Sequence, residues 1–210
     1  MARRLRYQVA VSLDGFIAGP NGEYDWIVMD PSIDFNALYK EFDTVVMGRK
    51  TYEVGEQAGG VAMPDHEVIV FSRTRPATVQ RGVRIVNDDA AEFVAELKAK
   101  PGRDIWLFGG GALFRSLLDA RLVDTVEVAV MPVLLGAGIP LLPPGASTKL
   151  VLADQKILPA SGIVALSYSV RGTRAPAARI RYVKARKIRR KSKVSSRKAG
   201  ASKRTKRRRR

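Results

Sequence analysis

Apolar positions along the chain switch repeatedly between strand-like and helix-like spacing. Leu5 to Leu13 reads as a first strand, closed by Asp14-Gly15, and a Gly-, Pro- and Asn-containing loop follows from Gly19 to Asp25. Phe35, Leu38, Tyr39 and Phe42 recur at helical spacing, with Asp34 placed to start that helix. Thr44 to Met47 is a short buried strand leading through Gly48-Arg49-Lys50-Thr51 into a short helix, and Glu67 to Phe71 is another strand. Asp88 or Asp89 caps a helix that runs to about Lys100 and ends at Pro101-Gly102. Asp104 to Phe108 is a strand that meets Gly109-Gly110-Gly111, Ala112 to Ala120 is helical, and Val126 to Val133 is a further buried strand. Lys149 to Leu158 and Gly162 to Arg171, joined by Pro159-Ala160-Ser161, read as an antiparallel hairpin. Strands alternating with helices predict an α/β fold with a mostly parallel central sheet and an antiparallel C-terminal hairpin.

Two segments carry chemistry. Val45-Val46-Met47-Gly48-Arg49-Lys50-Thr51-Tyr52 and Ile105-Trp106-Leu107-Phe108-Gly109-Gly110-Gly111-Ala112-Leu113 are each a buried strand that breaks at glycine into a helix. The first turn of a helix leaves backbone N–H groups unpaired and partially positive, and glycine lets a phosphate approach them. Two such junctions at neighbouring strand ends can hold the two phosphates of a dinucleotide. Arg49 and Lys50 suggest a further anionic group, such as the 2′-phosphate that distinguishes NADPH from NADH. Glycine after a strand is also common structural punctuation, and neither junction is the ordered G-x-G-x-x-G fingerprint, so a Rossmann domain is not indicated.

Charge divides the chain in two. The formal net charge is +17, but residues 174–210 hold 19 Lys or Arg and no Asp or Glu, leaving residues 1–173 at −2. The expected organisation is therefore a nearly neutral domain over 1–173 and a disordered Lys/Arg-rich tail over 174–210, too poor in apolar residues to offset its ordering entropy. Such a tail can neutralise nucleic-acid phosphates without reading sequence. No aromatic residue follows Tyr182, so stacking on single strands is not supported.

Composition narrows the chemistry further. The chain has no cysteine, which excludes disulfides, thiolate metal sites and a cysteine nucleophile, and the single His66 excludes His-rich zinc sites; no metal is expected. Arg3, Arg4 and Arg6 precede an apolar stretch that meets Asp14 too soon for a signal peptide. The longest apolar run, Val128 to Leu142, is broken by Pro132 and Pro140 and falls short of the ~20 residues of a membrane helix. No membrane span is expected, and the cytoplasm is the expected location.

V-V-M-G-R-K-T-Y at 45–52, F-S-R at 71–73 and F-G-G-G-A-L-F at 108–114 resemble, in order, the cofactor motifs of dihydrofolate reductases. V-A-V-S-L-D-G-F-I-A at 9–18 and G-E-Y-D-W-I at 22–27 resemble a sister branch, the reductase domain of the riboflavin-pathway deaminase–reductase. The resemblance covers roughly residues 5 to 171. It implies a three-layer α/β/α domain of the dihydrofolate-reductase type that uses NADPH to reduce a small pterin- or pyrimidine-like heterocycle, and it implies a homodimer. It places Ala10 and Ile17 at the nicotinamide, and Gly48, Arg49 and Thr51 at the phosphates, with Arg49 near the 2′-phosphate. It places Ser72 and Arg73 at the adenosine end and Gly109, Gly110, Gly111 and Ala112 over the pyrophosphate. The cofactor would supply the hydride while the protein fixes the distance and angle between the rings.

The chain departs from both branches around the substrate. Ser12-Leu13-Asp14-Gly15-Phe16 and Gly19-Pro20-Asn21-Gly22 stand where dihydrofolate reductases carry a proline–tryptophan loop, and 34–42 offers only Lys40 where the riboflavin branch carries several basic residues. Neither folate nor a phosphoribosyl compound is implied as substrate. Asp34 and Asp14 are the candidate catalytic carboxylates, although Asp34 also reads as a helix cap and Asp14 as part of an Asp-Gly turn. Trp26 is a candidate for stacking on the substrate ring or for filling the base of the loop; Trp106 is expected in the core and His66 at the surface before a strand. No general acid is assigned, and water can serve. The competing function is a nucleic-acid-associated protein in which the reductase-like domain is a scaffold. The Val126 to Leu142 stretch is open to two readings, a subunit surface or core.

Overall fold

A computed structural model of the chain describes residues 3–80 and 82–172. The boundary at 173/174 and the basic tail over 174–210 lie outside the described residues. Eleven strands and four helices follow in the order β1 (Leu5–Ser12), β2 (Phe16–Ala18), α1 (Phe35–Tyr39), β3 (Phe42–Gly48), α2 (Arg49–Gln57), β4 (Glu67–Phe71), β5 (Thr78–Gln80), β6 (Val83–Val86), α3 (Ala90–Ala99), β7 (Asp104–Gly109), α4 (Gly111–Asp119), β8 (Thr125–Met131), β9 (Ile139–Pro140), β10 (Leu150–Leu158) and β11 (Ile163–Val170) among the described residues.

Nine strands form one sheet in the order β10-β11-β8-β1-β7-β3-β4-β6-β5, and β2 and β9 pair separately. From β8 across to β6 all pairings are parallel. β11 lies antiparallel on β8 and β10 on β11, so the C-terminal hairpin closes one end of the sheet as expected. Parallel strands need crossovers, and the helices that make them cover both faces. On one face α3 and α4 bury Val94, Leu97, Leu113, Phe114 and Leu117 against Leu5, Tyr7, Val11, Ile105 and Leu107. On the other, Leu38 and Tyr39 of α1 and Tyr52 of α2 pack on Phe42, Val45, Met47 and Trp106. The architecture is three layers, α/β/α. Among the described residues no helix is long and apolar enough to cross a membrane.

Three features differ from the sequence pattern. Helical spacing includes Phe42, yet α1 stops at Tyr39, because Phe42 opens β3, pairs with Asp104 of β7 and is fully buried. The Val126 to Leu142 stretch divides. β8 is an interior strand between β1 and β11, so its apolar side chains serve the core, while Leu134 and Ile139 beyond it are exposed. The strands β5, β6, β2 and β9 carry no readable alternation and were not expected.

The N-terminal ends of the strands hold a buried ionic cluster. Arg6 and Glu127 are essentially unexposed; Arg6 Nε donates to Glu127 Oε1 at 2.8 Å and Nη2 to Oε2 at 2.7 Å. Arg6 Nη1 donates to Glu41, and the guanidinium lies 4.7 Å from the centre of the Phe42 ring. Burial opposes the charge on Arg6, but the bonds and attraction of Glu127 and then Glu41 outweigh it, and the guanidinium is held above its ordinary pKa. Arg3 pairs with Asp43 and Arg4 with Asp104 alongside. Arg3, Arg4 and Arg6 are thus fastenings of the sheet.

Candidate functional site

The opposite, C-terminal ends of the parallel strands carry both glycine junctions, and the sheet register brings them together. β3 and β7 are neighbours, with Met47 opposite Gly109. α2 therefore starts beside α4, with Gly48 and Gly110 as their N-caps. The four helix starts fall into two kinds. Asp34 caps α1 by accepting from Ala37 N at 3.0 Å, and Asp89 caps α3 by accepting from Ala91 N and Glu92 N. The glycine caps of α2 and α4 offer no side chain, and neither helix has an acidic residue in its first turn. Their leading N–H groups are left for an outside acceptor, and an anion between them would meet two helix dipoles.

The space between the junctions depends on missing side chains. A Cβ on Gly110, whose φ is +95°, would lie 3.4 Å from Thr51 Oγ1 and 3.8 Å from Gly48 N. A Cβ on Gly109 would meet Thr51 Cγ2 at 3.4 Å, and one on Gly111 would come within 2.9 Å of Pro140 O. Gly48, Thr51, Gly109, Gly110 and Gly111 thus form one cradle, with Ala112 exposed beside it in the first turn of α4. The leading N–H groups of these two helix starts are donors of the kind a pyrophosphate takes.

Arg49 flanks the cradle at the start of α2 and is about a third exposed. Its Nη1 donates to both carboxylate oxygens of Glu53 at 2.8 Å. Arg75 lies 3.5 Å from Glu53 and 2.8 Å from Glu56, over the Tyr52 ring. The bond from Arg75 holds the Glu56 carboxyl below its ordinary range. The backbone between β4 and β5 is shaped by Ser72, a buried residue whose Oγ accepts from Thr74 N and Arg75 N. Asn87 Nδ2 then ties Ser72 O to Arg75 O. Arg73 is exposed on this turn. Ser72, Arg73 and Arg49 therefore sit along the edge next to the cradle, and Arg75, Glu53 and Asn87, which sequence reasoning did not single out, organise that edge.

Ala10 and Ile17 flank the end of β1 on opposite sides. Ala10 belongs to a cluster of Met131, Leu158 and Ile163 that also takes in Trp26, Ile27, Ile33 and Ala129. Ile17 leans on the cluster beneath α4. Trp26 is half-buried, with its indole N–H donated to Glu23 O at 3.0 Å, and it covers the Ala10 side of the sheet. Ile33 in the same cluster brings Asp34 to this neighbourhood. Asp34 Oδ1 is occupied as the cap of α1. Asp14 is exposed at the loop and accepts from Ser12 Oγ at 2.6 Å, Gly136 N at 2.7 Å and Leu135 N at 3.0 Å. Those bonds, the one from Ser12 foremost, hold its carboxyl below the ordinary 3.8. Asp14 is therefore ionised at neutral pH and staples the first loop to the turn after β8. Trp106 is buried as expected, and its indole N–H donates to Gln8 O at 3.1 Å. His66 is pinned rather than free, its ring nitrogens lying 2.7 Å from Pro64 O and 3.0 Å from Tyr39 O.

Comparison with known proteins agrees with this fold. The family model described as the RibD C-terminal domain matches residues 3–164. The uncharacterized protein YyaP of Bacillus subtilis is 38% identical over 151 residues, spanning 66% of this chain and 80% of YyaP. A crystal structure of a riboflavin biosynthesis protein from Shewanella sp. PV-4 superposes with a TM-score of 0.69 at 27% identity, covering 81% of this chain and 99% of that one. Dihydrofolate reductase from Enterococcus faecalis, solved with NADP(H), superposes with a TM-score of 0.61 at 19% identity over 81% of this chain and 99% of its own. That likeness shows a shared fold, the dihydrofolate-reductase-like α/β/α sandwich.

Proposed function

Because the chain belongs to the RibD C-terminal domain family, we propose that it is an NADPH-dependent reductase that delivers a hydride to a small pterin- or pyrimidine-like heterocycle. The observation that carries this reading is the pair of side-chain-free helix starts at Gly48 and Gly110, brought side by side by the register of β3 and β7. When bound, the nicotinamide cofactor supplies the hydride. The chain's own residues would do the rest. The N–H groups after Gly48 and Gly110 bind the pyrophosphate, with Thr51, Gly109, Gly111 and Ala112 around it. Arg49 takes the 2′-phosphate, and Ser72 and Arg73 line the adenosine end. Ala10 and Ile17 confine the nicotinamide at the end of β1, and Trp26 covers the substrate on the Ala10 side. Of the two candidate carboxylates, Asp34 is given the substrate-facing role, because Asp14 accepts from Ser12, Leu135 and Gly136 within the loop while Asp34 caps α1 through a single oxygen. Water is the proton source in this scheme.

Arg49→Ala is expected to weaken NADPH binding about tenfold or more, as loss of a charge-assisted hydrogen bond of ~1.5–3 kcal/mol does, and to leave NADH binding unchanged. Titration of both nucleotides checks it; equal NADPH affinity in the variant removes Arg49 from the site. Glu53 holds Arg49 in the free protein, so Glu53→Gln is expected to tighten NADPH binding a few-fold in the same titration. Unchanged or weaker binding contradicts the competition between Glu53 and the 2′-phosphate.

A second reading concerns residues 174–210. Their 19 basic and no acidic residues favour sequence-independent contact with nucleic acid, compatible with the enzyme reading. Affinity for duplex DNA that falls steeply with salt and is lost on truncation after residue 173 is the expected result. Binding that survives truncation contradicts it.

A further inference from the structure

Six cations stand at the N-terminal ends of the parallel strands, opposite the glycine cradle. Strand direction puts them there. Lys40 precedes β3, Lys100 ends α3, Arg103 precedes β7 and Arg121 follows α4 on the way to β8, while Lys149 and Arg171 flank the open end of the β10–β11 hairpin. All six are exposed. Arg103 Nη1 donates to Lys40 O and Arg171 N to Lys149 O, both at 3.1 Å, so these pairs are neighbours. None of the six is held in an ion pair among the described residues, because the carboxylates at this end are taken by other cations. Asp43 is taken by Arg3, Asp104 by Arg4, Glu41 by Arg6, Asp124 by Lys98 and Asp119 by Arg115. The exposed Asp65 and Glu96 stand off the row, before β4 and a turn back along α3, and Glu67 faces Arg84 at 3.7 Å.

The row runs from β10 across β11, β8, β1 and β7 to β3, six adjacent strands, or about 24 Å at ~4.8 Å per step. A helix C-terminus favours a cation, which accounts for Lys40, Lys100 and Arg121 at the ends of α1, α3 and α4. Arg103, Lys149 and Arg171 have no such reason. The described chain ends at Gly172 on this same side, just beyond β11, so the 19 basic residues of 174–210 are joined to the domain beside Arg171. The glycine cradle lies at the other end of the strands, roughly 25 Å away along the eight residues of β1.

We propose that this row is a docking face for the phosphate backbone of duplex nucleic acid. It rests on the nucleic-acid reading of residues 174–210 and adds to it a place on the domain and an orientation. The duplex lies along the N-terminal strand ends, so the nucleotide cradle stays open while nucleic acid is bound. A line of cations suits a linear polyanion that presents one charge per ~1.7 Å. A lipid surface is held by apolar side chains as well as charge, and the exposed large apolar residues near the row are confined to Leu150, Val151 and Leu152 at one extremity. Residues 1–173 carry a net charge of −2, so the row orients a duplex that the basic segment attracts and does not hold one alone.

The test is anisotropy titration of a labelled DNA duplex of arbitrary sequence with the full chain over a series of salt concentrations. Combining Lys100→Gln, Arg103→Gln, Arg121→Gln and Lys149→Gln is expected to weaken binding about tenfold or more. It should also flatten the slope of log affinity against log salt by about 3, since each lost phosphate contact removes ~0.9. Lys40→Gln with Arg171→Gln, at the two remaining positions, should flatten the slope by about 2, and it carries the test if the quadruple variant does not fold. Lys50→Gln with Arg73→Gln removes the same charge from exposed positions at the cradle end and should keep the parent's slope. Saturating NADPH should leave the parent's affinity for the duplex unchanged. Row variants that match the parent in affinity and slope overturn the docking face and leave the reading of residues 174–210 standing, whereas a parent that binds no duplex overturns both. A control that falls as far as Lys40→Gln with Arg171→Gln reduces the effect to overall charge and overturns the face. Displacement of the duplex by NADPH overturns it too, as does tighter binding to phosphatidylserine vesicles than to the duplex.

Discussion

Replacing Glu127 with alanine is expected to destabilise the domain by about 3–5 kcal/mol, a large share of the ~5–15 kcal/mol that holds a domain of this kind together. The cause is what is left behind. Arg6 is fully buried and directs two of its nitrogens at Glu127, so truncation strands a guanidinium without water or counter-charge on that side. Thr125 Oγ1 loses its acceptor at the same time. The double replacement Arg6→Met with Glu127→Leu is expected to recover most of the loss, because an apolar pair of similar volume avoids the desolvation that the ion pair must offset. Urea denaturation of the parent, the single variant and the double variant measures both. A single variant within about 1 kcal/mol of the parent would show that Glu41 and Asp104 satisfy the Arg6 charge without Glu127.

Gly110→Ala is expected to remove nicotinamide nucleotide binding almost entirely. Two effects add. A φ of +95° is strained for any residue with a Cβ, costing roughly 1–3 kcal/mol. The new methyl group also stands between the two helix starts, 3.4 Å from Thr51 Oγ1 and 3.8 Å from Gly48 N, where the proposed pyrophosphate needs the backbone bare. Gly82→Ala separates the effects, since Gly82 has a φ of +78° with nothing within 4 Å of a Cβ. It should lose stability by a similar amount and keep its affinity for NADPH. If Gly110→Ala loses stability but binds NADPH like the parent, the space between the junctions is not a phosphate site.

Much of the fold was legible because its signals are local. Long strands such as β1, β10 and β11 declare themselves by composition, α3 by the Asp89 cap and its Pro101-Gly102 stop, and both glycine junctions by an apolar run breaking into a helix. The unread elements owe their existence to distant partners. β2 and β9 are three and two residues long and exist by pairing Phe16 with Pro140 across the whole domain. β5 and β6 are three and four residues, too short for a period to appear. Phe42 carries helical spacing but is claimed by the β3–β7 ladder, a tertiary demand that no window around it contains.

The site divides the same way. Sequence motifs pick out the residues whose backbone matters, because glycine at a strand–helix junction is itself the feature. They pass over residues that matter through where their side chains end. Glu53 becomes relevant only when α2 folds it back onto Arg49. Asn87 matters because β6 returns it to Ser72. Gln8 looks like an ordinary polar interruption of an apolar strand, yet its Oε1 is buried without a hydrogen-bond partner among the described residues. Asp14, which the sequence leaves open between chemistry and an Asp-Gly turn, closes a loop in space.

The most direct test of the central claim is titration of the full chain with NADPH and then NADH, following energy transfer from Trp26 and Trp106 to the nicotinamide. Binding of NADPH in the micromolar range, with NADH much weaker, is the predicted result. Failure of both nucleotides to bind would contradict the claim, leaving two adjacent helix starts that shape the fold without serving a cofactor.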